Sequence, residues 1–313
     1  MTVLAAGAAP GKLILFGEHS VVYGRTAVAA ALGHGLGATA QRSDSGPILR
    51  IPRWGASGLE VRPQATKAGD AVAQAFRIAL LRTGCALDAP ILVTIDGALP
   101  LGVGLGSSAA FSIALLRALA DYRGQSMSNE EQMAAAEELE GVFHGNPSGL
   151  DHTVVTHGGC MAFRRDEQPK FTDVVLGCEV PLVVGWTPRI GTTREAVERL
   201  QRRRDRHPEL YDRLLDSMNE IAEAGIGALT QGDLHQLGVL FDLNHGYLNT
   251  CGVSSPANEK MVSLARDGGA LGAKITGAGC GGAILALAPE NGAGIVASLK
   301  ANGFDAFQTT LAT

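Results

Sequence analysis

Residues 100–111 read PLGVGLGSSAAF: glycine at 102, 104 and 106, then two serines, then an apolar run. Phe111, Leu115 and Leu119 recur at i, i+4 and i+8, so the stretch passes from loop into a helix with one buried face. A helix starting directly after such a loop presents backbone amides and the positive end of its dipole, and glycines let a phosphate approach the main chain closely. Ser107 and Ser108 add hydroxyls suited to phosphate or Mg²⁺. The spacing fits neither the G-x-G-x-x-G dinucleotide fingerprint nor the P-loop, which closes on G-K-[ST]. The loop holds no lysine, so any cation facing a phosphate must come from elsewhere in the chain. Standing alone, it also reads as a plain tight turn between strand and helix.

Upstream of this loop, KLILFG and TAVAAALGHGLGATAQ read as strands and ILVTID as a buried one. KAGDAVAQAFRIALLRTG, between them, has helical spacing with a glycine stop at Gly84. Downstream, SNEE is a capping box in which Ser128 caps a helix and Glu131 reaches back. After the charged RRDEQPK, a strand (VPLVVGW) precedes helices over 193–206, 208–228 and 233–247, and PANEKMVSLARDGG adds another. The chain closes on strand, glycine-rich turn and strand, GAKITGAGCGGAILALA. This change of pattern divides the chain into 1–180 and 181–313, within about ten residues; the last strand has the option of packing back on the first part.

Composition narrows the function. The chain has 313 residues, 46% hydrophobic and 18% charged, with 41 glycines. That is about twice the usual glycine share, so many backbone positions are tight or closely approached. A net charge of −5 excludes a dedicated nucleic-acid binder, and the one dense basic run, RRRDR at 202–206, reads as a solvated helix face. Five scattered cysteines without a C-x-x-C pair fit a reducing compartment. No basic n-region opens the chain and no apolar run reaches membrane length, so a cytoplasmic protein is expected, with no membrane partner.

Four further features bear chemistry. Lys12 opens a strand, and Glu18 and His19 fall in the turn after it; alone, these are a solvated strand end and a surface pair. On a helical wheel Glu140 lies at the shoulder of an apolar face while Glu138 points away. A half-buried carboxylate needs a cation, either a Lys or Arg partner or a metal ion. Asp151 follows the turn GNPSG, where capping is its simplest role. KITGAGCGG, residues 274–282, is a second glycine-rich turn that a hairpin alone explains. His152 and His157, five apart, do not share a face of a helix or strand, so they form no zinc site, and no G-x-S-x-G elbow marks a serine hydrolase.

Taken in order, APGKLILFGEHSVVYG, PLGVGLGSSAAFS, HGNPSGLD and AKITGAGCGGA resemble the GHMP kinases, named for galacto-, homoserine, mevalonate and phosphomevalonate kinases. The likeness runs from Ala9 to about Ala288, and G-E-H-S-V-V-Y-G after P-G-K is similar to the members that phosphorylate mevalonate. It implies an α+β, two-domain fold with the active site in a cleft between an N-terminal nucleotide-binding domain and a C-terminal ferredoxin-like α/β domain. It implies an ATP-dependent transfer of the γ-phosphate to the primary hydroxyl of mevalonate, with Mg²⁺ as cofactor. By the same resemblance Gly102, Val103, Gly104, Leu105, Gly106, Ser107 and Ser108 cradle the ATP phosphates, and Ser108 and Glu140 hold Mg²⁺. Asp151 is the catalytic carboxylate with Lys12 beside it, and Glu18, His19 and Thr193 face the acceptor. The turn Gly277, Ala278 and Gly279 closes over the site. A homodimer is common in the family. Cys280 stands where many relatives have glycine; it fits if its φ is negative and is strained if positive. Two other readings stay open: another small hydroxylated acid as acceptor, or a ligand sensor without catalysis.

Overall fold

The computed structural model describes residues 4–54, 57–64, 71–144, 149–164, 170–188 and 193–312. In chain order the elements are β1 (Ala5–Phe16), a short 3-10 turn (Ser20–Tyr23), β2 (Ala27–Arg42), β3 (Ile48–Ile51), β4 (Leu59–Val61), α1 (Ala71–Arg82) and β5 (Ile91–Gly97). Then follow α2 (Ser107–Tyr122), α3 (Asn129–His144), α4 (Leu150–His157), β6 (Cys160–Phe163), β7 (Phe171–Asp173) and β8 (Val180–Thr187). The remainder is α5 (Thr193–Arg206), α6 (Pro208–Gln231), α7 (Leu234–Thr250), α8 (Pro256–Asp267), β9 (Gly272–Ile275), β10 (Gly282–Leu287), α9 (Gly292–Ala301) and β11 (Asp305–Leu311). Contacts group the chain into two units. One comprises Met1–Gly11, His34–Leu99 and Gly106–Gly158, the other Lys12–Gly33, Pro100–Leu105 and Gly159–Thr313. β1 and β2 contribute their two ends to different units, and β8 begins at the composition shift near residue 180.

In the first unit β3 pairs antiparallel with β4 and parallel with β5, and β5 pairs antiparallel with the later half of β2. A parallel pair needs a long crossover, supplied here by β4 and α1. α1, α2 and α3 pack on one another, and α4 packs on α2 and α3. Alanines and leucines line these seams: Ala75, Ala79, Ala114, Ala118 and Leu139 are buried. The α2–α3 hairpin is fixed at its turn by the expected capping box, with Ser128 N donating to Glu131 Oε2 at 2.8 Å and Glu131 N to Ser128 Oγ at 3.2 Å. Arg117 spans the hairpin to Gln132 at 2.8 Å and donates to the carbonyls of Ala8 and Thr156.

In the second unit the early half of β2 pairs with β6, and β6 with β7. A separate four-stranded antiparallel sheet runs β11-β8-β10-β9. Taken as strands one to four (β8, β9, β10, β11), with helices after the first and third, this is the order 4-1-3-2 of a ferredoxin-like β-α-β-β-α-β unit. β10 is buried along its whole length, as a central strand covered on both faces must be. α8 and α9 pack on the sheet through Met261, Val262, Ala265, Ile295 and Leu299. α5 begins at Thr193 and its Arg202, Arg203 and Arg206 are exposed, the solvated face expected of RRRDR. Arg204 turns aside, pairing with Asp212 at 2.6 Å and lying over the Tyr23 ring.

Candidate active site

The three loop glycines all have positive φ: 74° at Gly102, 93° at Gly104 and 72° at Gly106. L-residues avoid that region, which explains the alternation; Val103 and Leu105 occupy the positions between and are buried. Gly106 is the N-cap of α2 and supplies no side-chain cap. The helix start therefore lacks the acceptor that Ser, Thr or Asp would place there, a condition that suits an external anion.

Within the second unit, three segments far apart in sequence are laced together around residues 102–105. Leu105 O accepts from Lys12 N at 2.9 Å and Val103 O from Ala283 N at 3.1 Å. Thr276 Oγ1 accepts from Ile14 N at 2.9 Å and donates to Ile14 O at 3.0 Å. Lys12 is thereby held, nearly buried, beside the loop and the turn that follows β9. His19 belongs to the same assembly, with Nε2 3.0 Å from Ala278 O. A carbonyl oxygen only accepts, so this contact puts the proton on Nε2 and leaves Nδ1 as the acceptor of the neutral ring.

The turn after β9 is pinned on the opposite side by α8. Asn258 caps that helix reciprocally with Ser255 and reaches Gly281 through both side-chain atoms, at 2.9 and 3.2 Å. A Cβ on Gly279 would lie 2.2 Å from Val253 O, and its φ is 72°, so only glycine fits. Cys280 has φ 57°, which decides between the two outcomes expected for this position: the cysteine is strained. An L-residue in this conformation loses about 1–2 kcal/mol relative to glycine. Part of that is offset by the greater freedom of glycine in the unfolded chain. Cys280→Gly is therefore expected to stabilise the protein by about 1 kcal/mol, measured as a rise in the midpoint of urea unfolding; an unchanged or lower midpoint would show that the turn carries no strain.

Glu18 differs from expectation. Its side chain is fully buried and turned inward, with Oε1 ion-paired to Lys274 and Oε2 accepting from Asn244 Nδ2 at 3.1 Å. A carboxylate this buried must find partners inside the protein, and both its oxygens have them, so it does not face an acceptor. Lys274 was not singled out by the sequence. It is fully buried, donates also to Ile275 O at 2.7 Å, and lies 6.0 Å from the centre of the Phe241 ring. Burial holds its ammonium below the usual lysine range, against the opposing pull of Glu18. Next to Glu18, His19 has φ 63° and ψ −43° and Ser20 N donates to Glu18 O at 2.7 Å. This is the rare form of the γ-turn, at a residue that is not glycine.

In the first unit Ser107 and Ser108 occupy the first turn of α2, half-buried. Glu140 lies in the last part of α3 and is buried, whereas Glu138 is exposed and pairs with Arg82, as the wheel anticipates. Phe111 and Phe143 meet edge to face at 5.8 Å, so the start of α2 and the end of α3 occupy the same end of the hairpin. Ser108 and Glu140 are both there. Asp151 is in the first turn of α4, half-buried, after Gly149 at φ 89°; a carboxylate is favoured at a helix N-terminus. Residues 145–148 before it, where the sequence predicts a turn, and residues 189–192 before Thr193, lie outside the described residues. Thr193 itself opens α5 and is exposed. In α4, His152 is buried and His157 exposed, so the two do not converge. Among the described residues no cluster of three or more His, Cys, Asp or Glu exists to hold a metal. A hard cation that keeps waters and phosphate oxygens needs only one carboxylate and one hydroxyl from the protein, and Glu140 with Ser108 fit that.

A glycine loop running into a helix N-terminus, a nearly buried lysine beside the loop and a second glycine turn laced to it suit a phosphate-bearing ligand. The family model for the GHMP kinases N terminal domain matches residues 68–159, and that for GHMP kinases C terminal matches 226–305. The mevalonate kinase of Thermococcus gammatolerans is 36% identical over 97% of this chain and 94% of its own length. That of Pyrococcus abyssi is 34% identical over the same shares. A crystal structure of L. major mevalonate kinase in complex with R-mevalonate superposes with a TM-score of 0.85, at 29% identity, covering 99% of this chain and 97% of that one. This chain belongs to the GHMP kinases.

Proposed function

We propose that this protein transfers the γ-phosphate of ATP to the primary hydroxyl of mevalonate, giving 5-phosphomevalonate and ADP. The observation carrying the reading is the lacing of Lys12, His19 and residues 276–283 to the loop 102–105, because phosphoryl transfer depends on positioning and charge neutralisation. The mevalonate kinases similar over nearly the whole chain direct it to mevalonate. In this reading Gly102 to Ser108 cradle the phosphates. His19 and Thr193 meet the acceptor. The turn at Gly277, Ala278 and Gly279 closes over it. Asp151 accepts the proton of the hydroxyl whose oxygen bonds to the γ-phosphorus as the bond to ADP breaks, and Lys12 stabilises the oxygen as its charge develops. Residues 1–180 then supply the nucleotide side and 181–313 the closing side, and the reaction takes place in the cytoplasm.

Ser108 and Glu140 are the groups that would hold Mg²⁺, which when bound neutralises charge on the phosphates. Glu140→Gln removes the one carboxylate and should raise the KM for Mg-ATP by about tenfold or more. An Mg²⁺ titration at fixed ATP reads this, and an unshifted titration would remove Glu140 from the role. The function itself is tested by ADP release with ATP and a panel of acceptors. Mevalonate is expected to give the highest kcat/KM. A higher value for another small hydroxylated acid overturns the choice of acceptor, and turnover with none overturns the reading.

A further inference from the structure

Residues 17–20 hold an unfavourable backbone, and the structure shows what holds it. A non-glycine residue in the rare γ-turn costs of order 1–3 kcal/mol and persists only where its surroundings over-determine it. Three contacts do so at His19. Val21 N donates to Gly17 O and Val22 N to His19 O, both at 3.1 Å. His19 Nε2 meets Ala278 O. A further constraint lies one residue earlier, where the Glu18 side chain is clamped by Lys274 and Asn244 with no exposure on either side of the ion pair. Lys274 is on β9, and two residues later the chain enters the turn that carries Ala278. One buried lysine is thus bonded to the residue preceding His19 and continuous with the turn that receives His19.

A buried ion pair is a poor way to gain stability, because an apolar pair of similar volume generally serves as well or better. What it supplies is direction. Two charge-assisted bonds fix where the Glu18 main chain goes, and the main chain of Glu18 is one side of the γ-turn. We propose that Lys274, through Glu18, is a positioning residue for the phosphoryl acceptor: the pair sets the γ-turn that presents His19 and ties it in register to the turn at Gly277–Gly279. The inference rests on the reading that His19 meets the acceptor.

The test compares Lys274→Met, Glu18→Met and the double variant with wild type. It reads thermal midpoint, kcat, the KM for mevalonate and for ATP, and the ¹⁵N-histidine NMR signals, with His19 assigned through His19→Gln. The single variants leave a charge buried without its partner and are expected to lose stability; the double variant restores an apolar pair and recovers the midpoint. Positioning predicts that all three lose on the order of 10²-fold in kcat/KM for mevalonate, that the double variant is no worse than the singles, and that the KM for ATP stays within about twofold. It also predicts that the Nε2–H signal of His19 shifts or disappears in the double variant. A double variant with recovered stability and wild-type kcat/KM for mevalonate would reduce the pair to a structural role. Losses that multiply in the double variant, or an equal rise in the KM for ATP, would also overturn the proposal. If wild type does not use mevalonate, the choice of acceptor fails. The His19 signal still decides this inference, since an unmoved signal in the double variant sinks it and a displaced one supports it.

Discussion

Asp151→Asn is expected to lower kcat by about 10³-fold, equivalent to ~4 kcal/mol of barrier, with little change in stability. The substitution keeps the shape of the side chain and removes only its capacity to accept the acceptor's proton. Asp151 is half-buried in the first turn of α4, following a glycine N-cap, so asparagine retains the polar contacts that a helix start favours. Loss of a group that acts mainly in the transition state lowers kcat and kcat/KM together and leaves the KM values near those of wild type. Steady-state kinetics with saturating ATP, alongside a thermal melt, separate this from damage to the fold. A variant with wild-type turnover would remove Asp151 from the reaction. One with lowered turnover and a lowered melting midpoint would make it a structural capping residue.

The second large effect concerns stability. Lys274→Met alone should destabilise the protein by about 3–5 kcal/mol, the usual result of removing one partner from a buried ion pair. The loss has a definite origin: the Glu18 carboxylate remains fully buried with only Asn244 to satisfy it, and Ile275 O loses its donor. Methionine nearly matches the lysine stem in volume and flexibility, so little of the effect comes from a cavity. Equilibrium urea unfolding reads the change through a lower midpoint at an unchanged slope. A shift under about 1 kcal/mol would mean that the interior relaxes enough to hydrate Glu18, and the clamp on the γ-turn would be loose.

Local chemistry was legible in the sequence wherever neighbours along the chain decide it. The capping box at Ser128 and Glu131, the start of α5 at Thr193, and the opposite fates of Glu138 and Glu140 all follow from spacing on a helix. The alternating glycines at 102, 104 and 106 marked a tight loop, and all three have positive φ. Non-local features left no such trace. The Glu18–Lys274 pair joins residues 256 apart in sequence, and nothing near Lys274 along the chain marks it as buried. The γ-turn at His19 is invisible because histidine carries no compositional cue for positive φ, unlike glycine. The error on Glu18 has the same source: a charged residue in a turn is assigned to the surface unless its partner, on another element, is known. The antiparallel order of the four-stranded sheet came from family resemblance, since periodicity identifies strands but not which of them are adjacent.

That β1 and β2 each belong to both units has a consequence for synthesis on the ribosome. Residues 27–30 of β2 pair with β6 at 160–163, so they leave the ribosome long before their partner exists. At about 5–20 residues per second the wait is roughly 6–26 s. Throughout that interval an apolar stretch, TAVAAAL, has β1 beside it but lacks its partner on β6, and the first unit itself becomes complete in sequence only at residue 158. The second unit cannot be finished until the last strands are made, so its early segments wait longest for their partners.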